Sequence, residues 1–172
     1  MEKRDLYDIN RNLIGKTIEK NETIPTNTYI MVVVIFIQND NNEFLIQNDN
    51  NEFLIQKRSI EKGGKWATTG GHPKAGENSL QGILTEVQEE LGIKIENPTL
   101  FKQANAKDVI CDLYYIKKNI DINEITIQEE EVADVMWASI DEINKLMKEE
   151  NFKQGHYMMF QDCLEFINLK NT

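Results

Sequence analysis

An α/β domain is the fold class that the 172-residue sequence predicts, on three observations. The stretch TYIMVVVIFI, Thr28–Ile37, is apolar or β-branched at nearly every position, the mark of a strand covered on both faces and central in its sheet. Ser79–Leu91 reads as an amphipathic helix with both a start and a stop signal. Short strand-like segments then alternate with loops before two further helices, over a length that suits one domain, residues 1–172.

Composition narrows the function classes. The chain is 40% hydrophobic and 28% charged, and 19 basic against 29 acidic residues give a net charge of −10. That balance opposes binding to a nucleic-acid backbone, whereas a small phosphorylated molecule needs only local cations and a metal. MEKRDLYDINRN lacks an apolar signal region, and the apolar run Tyr29–Ile37 is too short to span a bilayer, so a cytoplasmic protein without a membrane partner is expected. Cys111 and Cys163 lie far apart without ligands at metal spacing and read as buried thiols in a reducing compartment.

In chain order, Leu6–Lys20 alternates short apolar pieces around Asn10-Arg11-Asn12 and contains Gly15, which predicts an N-terminal hairpin. After Pro25 comes the central strand. QNDNNEFLI at Gln38–Ile46 is then repeated unchanged at Gln47–Ile55, a tandem repeat over residues 38–55. Two copies are too few for a solenoid, and each pairs an Asn/Asp turn with a short strand, so one copy completes a hairpin. The second copy is the expected strand, because it leads through Gln56-Lys57-Arg58 to the Lys62-Gly63-Gly64-Lys65 loop. The first is then an insertion.

The segment ATTGGHP follows Trp66, and its glycines allow backbone to approach a ligand closely, with a carbonyl near Gly71 as a hard oxygen donor. His72, held extended by Pro73, is expected to be structural or to line the substrate rather than to act as a base. Asn78 and Gln81 make a capping box for the helix, and Gly92 stands where a left-handed residue stops it. Leu80, Ile83, Leu84, Val87 and Leu91 share one stripe, while Glu86, Glu89 and Glu90 gather on another face beside Ser79 and Gly82. Like charges at this spacing repel by roughly 0.2–0.5 kcal/mol per pair, and a divalent cation would relieve them. For a bare ExxEE, a solvated acidic face is the competing reading. Beyond the helix, Leu100–Gln103, Val109–Lys117, Ile125–Gln128 and Val132–Trp137 read as strands. Ser139 with Glu142 caps a helix through Met147, and a last helix, His156–Leu169, buries Met159, Phe160, Cys163, Leu164 and Ile167.

The spacing of Gly71, Glu77, Thr85, Glu86, Val87, Glu89, Glu90, Gly92 and Ile93 resembles the signature of the Nudix hydrolases, departing only where Thr85 replaces an arginine. The resemblance implies a Nudix-type α/β/α sandwich with a mixed central sheet and an N-terminal hairpin. It also implies Mg²⁺- or Mn²⁺-dependent hydrolysis of a diphosphate linked to a group X, in a nucleoside-diphosphate-X or a related small metabolite. On this reading Glu86, Glu89 and Glu90 form the catalytic set. Glu89 and Glu90 are the principal metal ligands, Glu86 is a ligand or the water-activating base, and the Gly71 carbonyl is a further ligand. Glu77, Thr85 and Gly92 serve the motif structurally, and Arg58 with Lys57, Lys62 or Lys65 is the candidate phosphate clamp, with His72 nearby. A residue of the Glu129-Glu130-Glu131 turn is a candidate extra ligand or base. Thr85 brings no charge to its i+4 neighbour Glu89, which predicts unrelieved repulsion among Glu77, Glu86, Glu89 and Glu90.

A narrower resemblance links Asp8, Gly15, Gln56-Lys57-Arg58, Lys65-Trp66 and the Gly-His-Pro to isopentenyl-diphosphate isomerases, a branch of the same superfamily. Their cysteine before the Gly-His-Pro is Gly70 here, so a hydrolase on an isomerase-like scaffold is expected, with isomerisation or an idle nucleotide-binding domain as alternatives. The group X is not specified by these residues, and a homodimer is compatible with them.

Overall fold

The computed structural model describes residues 2–39 and 51–170. Strands β1 (Lys3–Tyr7) and β2 (Leu13–Glu19) form the N-terminal hairpin, which starts three residues earlier than its apolar pattern suggests. Its turn is organised by Asp8, whose Oδ1 accepts the N–H groups of Asn10 and Asn12 at 2.9 Å each.

The main sheet contains β3 (Ile30–Gln38), β4 (Glu52–Arg58), β5 (Trp66–Ala67), β6 (Thr69–Gly71), β7 (Thr99–Ala106), β8 (Val109–Lys117) and β9 (Val132–Ser139). Strand β3 runs parallel to β8 from Ile30↔Val109 to Gln38↔Lys117 and antiparallel to β4 and β6, so the sheet is mixed. Helix α1 (Ser79–Leu91) covers one face, and α2 (Ile140–Lys148) and α3 (Gln154–Lys170) cover the other. Alternation along β3 makes both cores. Val33, Ile35 and Ile37 pack with Ile83, Val87 and Leu91 of α1, while Val34 and Phe36 pack with Ile143, Phe160 and Cys163. Each such fully buried side chain contributes about 1.5–3 kcal/mol, which is why the uninterrupted apolar run had to be central. The α/β/α sandwich is as expected.

Two expectations are corrected. Ile125–Gln128 is not a strand. After a single 3-10 turn at Ile122–Glu124, the extended backbone donates Thr126 N–H to Leu91 O at 3.0 Å and Gln128 N–H to Glu90 O at 3.1 Å. The last carbonyls of a helix have no partner within it, and this segment satisfies them where a sheet neighbour would otherwise have been needed. Leu80 leaves the apolar stripe at 43% exposure, and Gly82 is buried instead, where a Cβ would come within 2.5 Å of Pro73 Cγ. The first turn of α1 thus packs its small residue, not its leucine, on the preceding loop.

Of the repeat, the second copy does form the strand, with Phe53, Leu54 and Ile55 buried in β4. The first copy beyond Asn39 lies outside the described residues. Deleting Gln38–Ile46 joins Ile37 to an identical Gln-Asn and leaves Arg58 in place, and loop length costs only about 0.6 kcal/mol per doubling. The deletion protein is therefore expected to be soluble, with a melting temperature close to that of the parent; an insoluble product would show that the first copy carries structure of its own.

Cys111 and Cys163 are both buried in the core shared with α2 and α3, and burial pushes the Cys111 thiol up to about 11 and that of Cys163 higher still. Neither is reactive at neutral pH. Among the described residues no helix is long and apolar enough to cross a membrane.

Candidate active site

Helix α1 is fixed at both ends by the predicted devices. The Asn78 side chain accepts the Gln81 N–H, the Gln81 side chain accepts the Asn78 N–H, and Gly92 takes the left-handed conformation at φ 66°. Its apolar stripe locks the helix rotation, and the opposite side carries Glu86, Glu89 and Glu90 into a cleft with a volume of about 450 Å³.

The three carboxylates have different surroundings. Glu90 is only 4% exposed, and its Oε2 accepts from Gln56 Nε2 at 2.5 Å. The same Gln56 amide accepts from Thr69 Oγ1 at 2.8 Å through its Oε1, so β4 and β6 together fix the orientation of Glu90. Glu86 lies against Gly71, where a Cβ would stand 2.3 Å from the Glu86 carboxyl group. Only glycine permits that approach. Burial, then the charges of Glu90 and Glu89, push Glu86 up to about 8. Burial also raises Glu90, against the opposing effects of Gln56 and Arg58. Glu89 is more open and makes an ion pair with Lys74.

Lys74 corrects the expectation at Thr85. Thr85 Oγ1 donates to Glu77 Oε1 at 2.9 Å, and Glu77 Oε2 accepts the Lys74 N–H at 2.9 Å. Glu77 thereby fixes the loop that brings the Lys74 ammonium to Glu89. The positive charge that the motif's arginine would supply comes from the loop instead, and the repulsion predicted from Thr85 is partly relieved.

The expected clamp divides. Arg58 and Lys62 line the cleft and share Glu131, at 3.6 and 3.1 Å, so the acidic turn reaches the site through that residue. Lys57 and Lys65 are not among the lining residues. Alternation on β4 sends Gln56 and Arg58 toward α1 and Lys57 away, a choice fixed by register with β9 and β5. His72 does line the cleft, and burial, followed by the charges of Arg4, Lys153 and Lys20, lowers it to about 4.

Sequence reasoning missed the contributions from the two chain ends, Arg4 of β1 with Lys153 and His156 at the start of α3, and the bridging role of Gln56. His156 offered a signal as one of only two histidines. It is 7% exposed, and its Nδ1 accepts the Thr68 N–H at 3.3 Å, which leaves the proton of the neutral ring on Nε2. Burial, then Lys153 and Arg58, lower its pKa from 6.5 to about 3. A folded-state value below the unfolded one means that the unfolded chain takes the proton first as pH falls. The contribution of His156 to stability is therefore complete above 6.5 and drops by up to about 1.4 kcal/mol per pH unit below it, until about pH 3. Melting of wild type and His156→Gln from pH 7 to 4 is expected to differ by this slope, on a background to which His72 adds its own share down to about 4 and Glu86, raised from 4.5 to about 8, contributes in the opposite sense. An unchanged slope in the variant would mean that His156 is not held neutral.

Among the described residues no three carboxylate, imidazole or thiol groups converge as a closed metal cage, because Glu89 is turned to Lys74 and Glu90 to Gln56. The donors nevertheless fit a hard cation. They are carboxylate oxygens on one side of an open cleft, mutually repelling and partly dehydrated, which suits an ion that completes its shell with water and substrate phosphate.

Such a cleft, lined by carboxylates together with Arg58, Lys62 and Lys153 on an α/β/α sandwich, has groups suited to a small phosphorylated molecule and a cation. The family model for the NUDIX domain matches residues 29–163. An uncharacterised Nudix hydrolase of Listeria monocytogenes is 31% identical over 179 aligned positions, covering 100% of this chain and 97% of the relative. The chain belongs to the Nudix family and is a Nudix hydrolase, one of a group that acts on nucleoside-diphosphate-linked substrates and generally uses divalent metal ions. It is also 36% identical over 81 residues to an NAD-capped RNA hydrolase of Mannheimia succiniciproducens, covering 47% of this chain and 30% of that one. In fold it resembles the solved DR0079 protein of Deinococcus radiodurans, with a TM-score of 0.74, 16% identity, and coverage of 94% of this chain and 99% of the other. The NUDIX domain of Shewanella oneidensis NrtR, solved with ADP ribose, is similar at a TM-score of 0.63 and 16% identity, covering 81% and 88%.

Proposed function

We propose that the chain hydrolyses the diphosphate linkage of a nucleoside-diphosphate-X, or of a related small metabolite, with Mg²⁺ or Mn²⁺ held by Glu86, Glu89, Glu90 and the Gly71 carbonyl. The observation that carries this reading is the close contact of the Glu86 carboxyl group with Gly71, beside a buried Glu90 fixed by Gln56. When bound, the metal polarises the phosphates and lowers the pKa of a water. Glu89 and Glu90 are the principal ligands, and Gln56 keeps one Glu90 oxygen oriented, as outer-shell partners do. Glu86 is a further ligand or takes the proton of the attacking water. Arg58 and Lys62 hold phosphate oxygens, and Glu131 keeps both cations in the cleft between turnovers.

A nucleotide as part of X is supported by two similar proteins, one named for NAD-capped RNA and one solved with ADP ribose. Hydrolysis is favoured over isomerisation by Gly70. Its β6–β3 pairing would put any Cβ within 2.6 Å of Val33 O, and neither cysteine lines the cleft. A panel of diphosphate compounds incubated with each metal, assayed for phosphate release and alkene isomerisation, tests the reading. Metal-dependent release is expected; isomerisation, or binding without turnover, would overturn it.

A further inference from the structure

The family match begins at Tyr29, yet the hairpin before it reaches into the cleft. Its position is tightly set. Lys3 O accepts the Ala75 N–H at 2.8 Å, Asp5 Oδ2 accepts the Gly76 N–H at 2.8 Å, and the Tyr7 N–H donates to Tyr29 O at 2.9 Å. Residues 3 and 5 are thus bound to the loop that leads into α1, and alternation turns the residue between them the other way. That residue is Arg4, which lines the cleft.

Arg4 is not satisfied there by protein groups. Its Nε is buried without a hydrogen-bond partner, and among the described residues its guanidinium makes no ion pair within 4 Å. A buried donor left unmade costs about 1–3 kcal/mol, more for a charged group, so folding alone gives no reason for it. Lys153, between α2 and α3, lines the same cleft and likewise has no ion pair among the described residues. Arg58 and Lys62 differ, since Glu131 already answers both. His72 lines the cleft with them. Two cations without an ion pair in one cleft, attracted only at longer range by Glu2, Glu86 and Glu90, make a place for anionic oxygens.

We infer that Arg4 and Lys153, which line one cleft with His72, form an anion subsite that takes phosphate oxygens of the substrate. The inference rests on the diphosphate-hydrolase reading for its occupant. Its function is to bind the end of the diphosphate that the metal does not hold, so that the hairpin outside the family match becomes part of the substrate site.

Inorganic pyrophosphate is the probe, titrated by calorimetry at neutral pH in EDTA so that no metal contributes. Wild-type protein is expected to bind it, and Arg4→Gln and Lys153→Gln are each expected to raise Kd at least 10-fold, with Arg4→Lys recovering part of the loss. Lys57→Gln, outside the cleft, controls for bulk charge and should leave Kd within two-fold. Melting without pyrophosphate separates binding from structure: both glutamine variants should melt no lower than wild type, since they remove unanswered charges. Absence of pyrophosphate binding to the wild type, or Kd within two-fold in both variants, or a lower melting temperature with unchanged Kd, would overturn the subsite. Glu89→Gln should not weaken pyrophosphate binding in EDTA while it removes turnover. Loss of the subsite alone therefore leaves the hydrolase reading standing, and unchanged turnover in Glu89→Gln strikes that reading alone.

Discussion

Glu89→Gln and Glu90→Gln are each expected to lower kcat by 100-fold or more, a loss of roughly 3 kcal/mol of transition-state stabilisation, in a protein that still folds. The two substitutions fail for different reasons. Glutamine at 90 can still accept from Gln56 Nε2, so the buried contact and the packing of α1 persist while the charge needed by a cation is gone. Burial already raises the Glu90 pKa above its ordinary 4.5, which means the charged form is disfavoured in the folded state without metal. Replacing it by a neutral isostere should therefore leave the metal-free melting temperature at or above that of the wild type, while the increment from added Mg²⁺ shrinks. At 89 the carboxylate is partly open and paired with Lys74, and the ion must compete for it. Steady-state kinetics on the best substrate from the diphosphate panel, with melting in EDTA and in Mg²⁺, provide the measurement. Wild-type turnover in either variant would remove that residue from the metal set.

Gly71→Ala is the second large effect, and it acts without replacing an ionisable residue. The new Cβ would meet Glu86 Cδ and Oε1 at 2.3 Å and Oε2 at 2.6 Å, distances that real contacts do not reach. The colliding atoms are the far end of a flexible side chain, so Glu86 moves and the fold is retained. A fall in kcat of at least 10-fold is expected, because a displaced ligand or base of about 1 Å costs orders of magnitude in a positioned reaction. Stability should change by less than about 1 kcal/mol. Gly82→Ala makes the contrast: its Cβ meets Pro73 Cγ at 2.5 Å and Pro73 Cα at 3.1 Å, and a ring tied to backbone cannot swing aside. That variant should lose about 1–3 kcal/mol of stability, as overpacked sites do. If Gly71→Ala keeps wild-type kcat, Glu86 is not required where it stands.

What the sequence determined by itself is what local physics encodes. The capping box of Asn78 and Gln81, the stop at Gly92 and the 3.6-residue spacing of Ile83, Val87 and Leu91 define α1 and put Glu86, Glu89 and Glu90 on one face. The apolar run of β3 announces a central strand, and the residue types at the motif spacing announce the family, since both are carried by the local order of side chains. Tertiary structure decided everything that depends on which distant groups meet. Ile125–Gln128 has strand-like residues but satisfies its backbone on the end of α1, an outcome no local pattern contains. Lys57 and Arg58 are adjacent and equally basic, and only the register of β4 turns one into the cleft and the other away. Lys74 answers Glu89 where Thr85 seemed to leave it unanswered, because a loop held by Glu77 brings it there. Arg4, Lys153 and His156 come from opposite ends of the chain, and sequence separation hides a convergence that the hairpin's bonds to Ala75 and Gly76 and the packing of α3 create.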